Sequence, residues 1–228
     1  MNSIYIYHHL GLGDHIICNG LVRHFAEQYD RVFLFTKPVN VKNVLRMYED
    51  NAQIKIIAMD DFEIRSFIEI SPDNNYLIIG HDRFFQIMNS SENIKTFDEI
   101  FYDMAEIPPI YKWDKFYFKR DLEKERNAYY NILQLRDGEN FIFIHESQER
   151  PVIKEIPRGI RQIRPDNKEL SIYDFLYTIE KAKEVHVMNS SFMNLIDCIQ
   201  LRNEGLFYHE YSRPNINAAL KMNWKIIK

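Results

Sequence analysis

Short apolar runs of strand length alternate with segments of helical period along this chain of 228 residues. Residues 3–8 (SIYIYH) are β-branched and aromatic, the pattern of a buried strand, and the glycine-rich stretch 11–14 then turns the chain into a helix. That helix is expected from about residue 15 to 28, where Ile17, Leu21 and Phe25 recur every four residues with Val22 beside them. Arg31–Thr36 (RVFLFT) predicts a second strand, residues 41–48 a short helix after Pro38, Ile54–Ala58 a third strand and residues 76–79 a fourth. Strands separated by helices imply parallel pairing, because a parallel connection needs a crossover too long for a tight turn. The first hundred residues therefore predict a doubly wound sheet.

A further amphipathic helix is expected over 97–105. Pro108 and Pro109 then break regular structure, and an aromatic-rich linker (106–121) leads to a second half. There a charged helix (122–133), the turn Asp137-Gly138 and the strand Phe141–His145 (FIFIH) restart the alternation. A short strand at 161–164, a helix at 172–181 opened by the capping box Ser171/Asp174, a strand at 185–187, a helix at 191–200 and a last strand at 206–208 complete it. The fold class is α/β, with two Rossmann-like doubly wound halves at 1–110 and 122–228.

Composition narrows the class. With 46% hydrophobic and 27% charged residues the chain can bury a core, which excludes a disordered protein. A net charge of −4 argues against a basic surface for nucleic acid, so no nucleic-acid partner is expected. Cys18 and Cys198 sit alone in apolar helical segments, as reduced thiols that pack as small hydrophobes do. With no leader pattern at the start and no run near the roughly 18 apolar residues of a spanning helix, a cytoplasmic protein without a transmembrane segment is expected. Asp60-Asp61 has no His or Cys at ligand spacing, so no metal is expected, and His8-His9 read as core or rim residues.

Chemistry is expected at two strand-to-helix turns, because open α/β sheets present ligands at the carboxyl ends of their strands. In the first, HHLGLGDH (8–15), Gly11 and Gly13 let the backbone approach a ligand closely and the N–H groups of the following helix favour negative charge, so a phosphate or a polar sugar is expected to bind at Gly11 and Gly13. Asp14 is a candidate general base there, with His15 as a candidate to share that role, although an aspartate at a helix start also serves as a plain cap. A nicotinamide fingerprint fails at Ile16, where a third small residue is required, and no P-loop occurs. In the second turn, VMNSSFMN (187–194), Ser190 and Ser191 can offer hydroxyl and N–H groups to a phosphate, while a serine cap would need only one of them. Arg150, Lys154, Arg158, Arg161 and Arg164 follow the FIFIH strand and can neutralise a departing diphosphate; Arg150 and Arg158 are taken into the binding set with His145 at the strand end. Glu146 and Ser147 join His145 as candidates for ribose or base contacts.

GLGDHIICNGLVRHF (11–25) resembles the GxGDxxxxxPxxxxL opening of GT-B glycosyltransferases of the heptosyltransferase type. EVHVMNSSFMNLID (184–197) resembles their late D-S/T-G-xx-HLA segment and is similar to the fucosyltransferase branch as well. The resemblance implies two halves facing a cleft, an acceptor half at 1–110 and a nucleotide-sugar half at 122–228. It further implies an inverting, metal-independent transfer, in polysaccharide biosynthesis, from a nucleotide-diphosphate sugar to a glycan or lipid-linked hydroxyl. The donor is a substrate, so no cofactor is implied. Asp14 matches the family's acidic base, Ser190 and Ser191 its diphosphate segment, and Arg150 its basic residue after the first donor-half strand. The chain departs at Asn19-Gly20, where proline is usual, at Asn189-Ser190-Ser191, which lacks the acid, and at Asn194, which replaces histidine. Two other readings stay open: a non-catalytic sugar-nucleotide or glycan binding module of the same fold, and a structural partner in polysaccharide assembly that docks through the aromatic stretch 111–118.

Overall fold

A computed structural model of the chain describes residues 2–90, 95–147, 159–212 and 218–228. It divides into two compact units, Met1–Lys119 and Arg120–Lys228.

In the first unit β1 (Ser3–Tyr7) leads into α1 (Leu12–Ile17) and α2 (Asn19–Ala26). Then follow β2 (Arg31–Thr36), α3 (Val41–Met47), β3 (Ile54–Ala58), α4 (Asp61–Ile70), β4 (Tyr76–Ile78), α5 (His81–Met88), α6 (Phe97–Met104) and α7 (Tyr111–Asp114). The strands form one parallel sheet in the order β3-β2-β1-β4, with Ile4 opposite Val32 and Ile6 opposite Leu34. On one face Tyr7 and Phe35 pack with Leu10 and Ile64, and Tyr5 stacks on Phe33 at 4.6 Å. β-branched and aromatic side chains suit a pleated surface covered by helices, which is why these runs read as strands.

Three features differ from expectation. The first helix starts earlier, at Leu12, and breaks at Cys18, where Asn19 and Gly20 are weak helix formers and the Tyr102 hydroxyl donates to the Ile17 carbonyl at 2.7 Å. The stretch expected as a linker holds α7, which packs on α2. A Cβ on Gly20 would lie 1.9 Å from the Tyr111 carbonyl oxygen, so only glycine admits this approach. Asn19 Oδ1 accepts from the Tyr117 N–H at 2.9 Å, and the Lys112 ammonium meets Asp98 at 2.6 Å with both side chains buried. Asn19 and Gly20 thus have a structural role: these residues receive the 111–117 segment. Of the aromatic stretch offered as a docking surface, Phe118 is buried and Tyr117 exposed. Finally, neither α4 nor α5 was anticipated, although Asp60 and Glu63 form a capping box at the start of α4.

The second unit runs α8 (Leu122–Asn127), a π turn (Ala128–Ile132), β5 (Phe141–His145), β6 (Arg161–Ile163), a 3₁₀ turn (Ile172–Phe175), α9 (Leu176–Lys181), β7 (Glu184–Val187), α10 (Ser191–Ile199), β8 (Leu206–His209) and β9 (Lys225–Ile227). Its five strands are all parallel, in the order β6-β5-β7-β8-β9. The first four residues of β5 are buried, as a central parallel strand with both faces covered requires. The Ser171/Asp174 capping box forms as expected, with the Ser171 N–H donating to Asp174 at 2.8 Å, but the helix opens as a 3₁₀ turn. Strand β9 was not anticipated. It sits at the sheet edge, where buried Asp197 accepts from the Lys221 and Met222 N–H groups and from the Trp224 indole, at 3.0, 3.0 and 2.9 Å, and so secures the chain leading to it. Both units are therefore α/β with a single parallel sheet.

Candidate functional site

In an open parallel sheet the crevice lies beyond the carboxyl ends of the two strands where the winding direction reverses. Strand order places that point between β1 and β4 in the first unit and between β5 and β7 in the second. Both turns singled out in the sequence leave these strands.

In the first unit Gly11 is the residue before α1, with extended φ and ψ of −71° and 148° and no side-chain cap. Asp14 is not the cap: it is the third residue of the helix, and its carboxylate folds back over Gly11, where a Cβ would meet Oδ2 at 2.6 Å. Gly13 lies inside the first turn of α1. The glycine at 11 makes room for the carboxylate and for close approach of a ligand. His15 lies behind the turn, fully buried, with its ring 4.5 Å from that of buried His8. The His8 Nδ1 donates to the His9 carbonyl, while His8 Nε2 and both His15 nitrogens have no hydrogen-bond partner among the described residues. Burial holds His8 down to about 4 and His15 well below the ordinary imidazole value, so both are neutral.

Beside this turn is a group that the sequence reading did not assemble. Gly80 adopts φ 90°, His81 φ 58°, and the His81 N–H donates to His9 Nε2 at 2.8 Å. A Cβ on Gly80 would strike the His9 ring at 2.7 Å. The His81 ring lies over Tyr7 at 4.0 Å, and the Tyr7 hydroxyl donates to Asp61 at 2.9 Å, with Lys37 3.3 Å from the same carboxylate. Burial and Asp61 push Tyr7 up to about 12. Burial works to raise Asp61, yet the hydrogen bonds from Tyr7 and Lys37 bring it below the ordinary carboxylate value. Asp60 and Asp61, first weighed as a metal pair, are thus a helix cap and an ion-pair partner. The missed signal was positional: residues 7–9, 37, 61 and 81 each stand at or just beyond a strand's carboxyl end.

In the second unit Ser190 caps α10, its Oγ accepting from the Met193 N–H at 3.4 Å. The same oxygen lies 3.0 Å from His145 Nδ1 at the end of β5, joining the two strands at the winding reversal. Burial lowers His145 to about 4 although Glu146 works against the shift, so the ring is neutral. The arrangement that uses every proton has the Ser190 hydroxyl donating to Nδ1, which leaves Nε2–H as the imidazole's donor. Ser190 is therefore engaged within the protein, and the Ser191 and Phe192 amides are the outward donors of the helix start. His145 lines an open cavity of about 430 Å³ with Glu146, Ser147, Arg164, Pro165 and Asp166. Arg164 donates to Glu146 at 3.0 Å and to Gln162 at 2.7 Å. Arg161 begins β6, at the opposite strand end, and pairs with Glu139 at 2.8 Å, so it does not join this site. Arg150, Lys154 and Arg158 lie outside the described residues.

No group of three or more His, Cys, Asp or Glu side chains able to hold a metal ion occurs among the described residues. Nor is any helix among them long and apolar enough to cross a membrane. No protein-family profile matches the sequence, and no curated protein matches it. Solved structures do share the fold. A glycosyl transferase family 9 protein from Veillonella parvula superposes with a TM-score of 0.55 at 10% identity, over 91% of this chain and 79% of that one. ADP-heptose LPS heptosyltransferase II of E. coli superposes with 0.57 at 12% identity, over 100% of this chain and 90% of that one. The iron-containing dodecameric glycosyltransferase TibC, from enterotoxigenic E. coli, superposes with 0.55 at 10% identity, over 96% of this chain and 61% of that one.

Proposed function

We propose that the chain is a glycosyltransferase that moves a sugar from a nucleotide-diphosphate donor to a hydroxyl of a glycan or lipid-linked acceptor, with inversion and without a metal. The observation that carries this reading is the His145–Ser190 contact. It ties the ends of β5 and β7 together beside a cavity and leaves a neutral imidazole N–H and the first amides of α10 as donors for an anion. Shared fold with the glycosyl transferase family 9 structure and with ADP-heptose LPS heptosyltransferase II supports it. In this reading the diphosphate rests at the start of α10, with Ser191, His145 and Arg164 about it. There, donors aimed at developing charge stabilise the leaving group. The first unit holds the acceptor, and Asp14 collects the hydroxyl proton as the glycosidic bond forms. His15, buried and neutral, supports the turn and takes no proton at neutral pH.

A binding module without catalysis is the second reading, favoured by one observation: the Ser190 hydroxyl is already engaged by His145 and the cap. The two readings part on incubation with ADP-, GDP-, UDP- and CDP-sugars. A transferase releases nucleoside diphosphate slowly from one of them even without acceptor, and faster with a glycan acceptor. Binding without any release would establish the module instead, and neither binding nor release would remove both readings.

A further inference from the structure

In the first unit, too, a histidine links the two strands at the winding reversal. His9 stands just beyond β1 and His81 just beyond β4, and the His81 N–H donates to His9 Nε2 at 2.8 Å. The backbone is bent to make that contact. Gly80 at φ 90° and His81 at φ 58° both lie in the left-handed region, where a residue other than glycine is strained, and a Cβ at position 80 would strike the His9 ring. None of the roles assigned above uses the other nitrogen of His9.

A backbone N–H can only donate, so Nε2 is the acceptor of the ring, and the proton of a neutral imidazole sits on Nδ1. Burial lowers His9 to about 4, which keeps the ring neutral at neutral pH. With one nitrogen engaged and the other protonated, His9 is a donor and not a second base beside Asp14. Its Nδ1–H has no hydrogen-bond partner among the described residues and, unlike His8 Nε2 and both His15 nitrogens, it is open to solvent.

The surroundings of this ring are aromatic. Buried Phe84 and Phe101 meet it edge-on at 5.0 and 5.3 Å, while Phe85 lies along one of its faces at 5.8 Å and 29° and is itself 50% exposed. Packing alone asks for an apolar ring at position 9, not for one whose proton is fixed by a strained backbone.

What this pair can hold follows from its chemistry. An anion gains no charge from a neutral imidazole and meets the field of Asp61, which acts on the same ring. A cation finds a donor where it needs an acceptor, and a wholly apolar molecule leaves the N–H unpaired. The fit is a neutral molecule with an acceptor oxygen at the rim of an apolar face. In the transferase reading above, on which this inference rests, the first unit takes a glycan hydroxyl, and a pyranose has that shape: a C–H face to lie on an aromatic ring, with oxygens around its rim. We propose that His9 and Phe85 hold the acceptor sugar, with His9 Nδ1–H donating to one of its oxygens and the Phe85 ring beneath its C–H face.

The test is a titration of the full chain, carrying ¹⁵N in its histidine rings and ¹³C in its phenylalanine rings, with methyl β-D-galactopyranoside, methyl α-D-glucopyranoside and methyl α-D-mannopyranoside. It needs no sugar donor, so it reads the site whether or not the chain transfers a sugar. The expected result is a saturable shift of His9 Nδ1 and of the Phe85 ring with at least one glycoside, with cross-relaxation between Phe85 ring protons and glycoside C–H protons. Phe85→Ala, at an exposed position, should lose the His9 shift. His9→Leu should lose the Phe85 shift, and His9→Asn, whose amide donates from the place of Nδ1, should keep it. No saturable shift with any of the three glycosides would overturn the site, as would a His9 shift that survives in Phe85→Ala, a larger shift with adenosine or inorganic phosphate, or equal responses in His9→Leu and His9→Asn. Should His9→Leu fail to fold, the Phe85→Ala result decides alone. Transfer to a glycan acceptor that leaves His9 and Phe85 unmoved would remove this site and leave the transfer reaction standing.

Discussion

The turn after β1 and the turn after β7 each leave a strand that borders the winding reversal of its parallel sheet, yet they are built in opposite ways. At the second, a serine caps an apolar nine-residue helix, and the same hydroxyl fixes a histidine from the neighbouring strand. At the first, glycine stands where the cap would be, the helix lasts six residues, and two buried imidazoles behind it keep three nitrogens without partners among the described residues. The second turn is closed by its own hydrogen bonds. The first is held from outside, by Tyr102 on the Ile17 carbonyl and by the 111–117 segment on Asn19-Gly20. A turn that satisfies itself suits a fixed anion site. One with a carboxylate folded over a glycine suits a group that must meet a substrate hydroxyl.

The largest effect that separates the turns is acid sensitivity. Folded His8 titrates at about 4 and His15 well below its ordinary value, against about 6.5 in the unfolded chain. Folded pKa values below unfolded ones leave stability intact above about pH 6.5 and remove it as the pH falls towards 4, because the unfolded chain binds the protons. Unfolding followed by circular dichroism between pH 7 and 4 should show this loss. His15→Leu, which removes two unpartnered nitrogens, should move the acid midpoint lower, and by more than His145→Leu does. A midpoint unchanged by His15→Leu would mean the first turn is not the strained one.

Next in size is catalysis. Asp14→Asn should cost roughly 10²–10⁴-fold in transfer, the usual weight of a general base, while nucleotide affinity stays within about twofold. Full activity in that variant removes Asp14 from the role. The support behind the first turn is tested by Gly20→Ala, which drives a methyl into the Tyr111 backbone and should cost about 3 kcal/mol by thermal or urea unfolding. A neutral result would separate the 111–117 segment from α2. Smallest is the cap: Ser190→Ala should cost about 1 kcal/mol of stability and weaken diphosphate binding by freeing the His145 tautomer, with Ser190→Thr restoring both. Equal binding in all three proteins would show that His145 needs no orientation.

Strands were the most legible part of the sequence, because buried parallel strands are continuous apolar runs: Arg31–Thr36, Ile54–Ala58 and Phe141–His145 form over the expected residues. Helices stabilised by contacts distant in sequence were not. Cys18 breaks the first helix because Tyr102 and Tyr111 reach it from some eighty residues away or more, and no local pattern announces that. The capping box at Asp60 was readable and was passed over while the acids were weighed as a metal pair. At the site, the two turns were visible as Gly11-Leu12-Gly13-Asp14 and Ser190-Ser191, since glycine and serine there follow local backbone needs. The partners of those turns, His145 on Ser190 and His8 on His15, come from strand order and side-chain burial, which spacing along the chain does not encode.

The central claim is that the turn after β7, and not the turn after β1, holds the diphosphate. Amide and histidine-ring resonances followed during titration with ADP, GDP, UDP and CDP test it most directly. The account predicts that one of the four moves Ser191, Phe192 and His145 in a saturable way, with the same nucleoside lacking its phosphates far weaker and residues 11–14 little changed. Shifts concentrated at Gly11, Gly13 and Asp14, or none with any of the four, would contradict it.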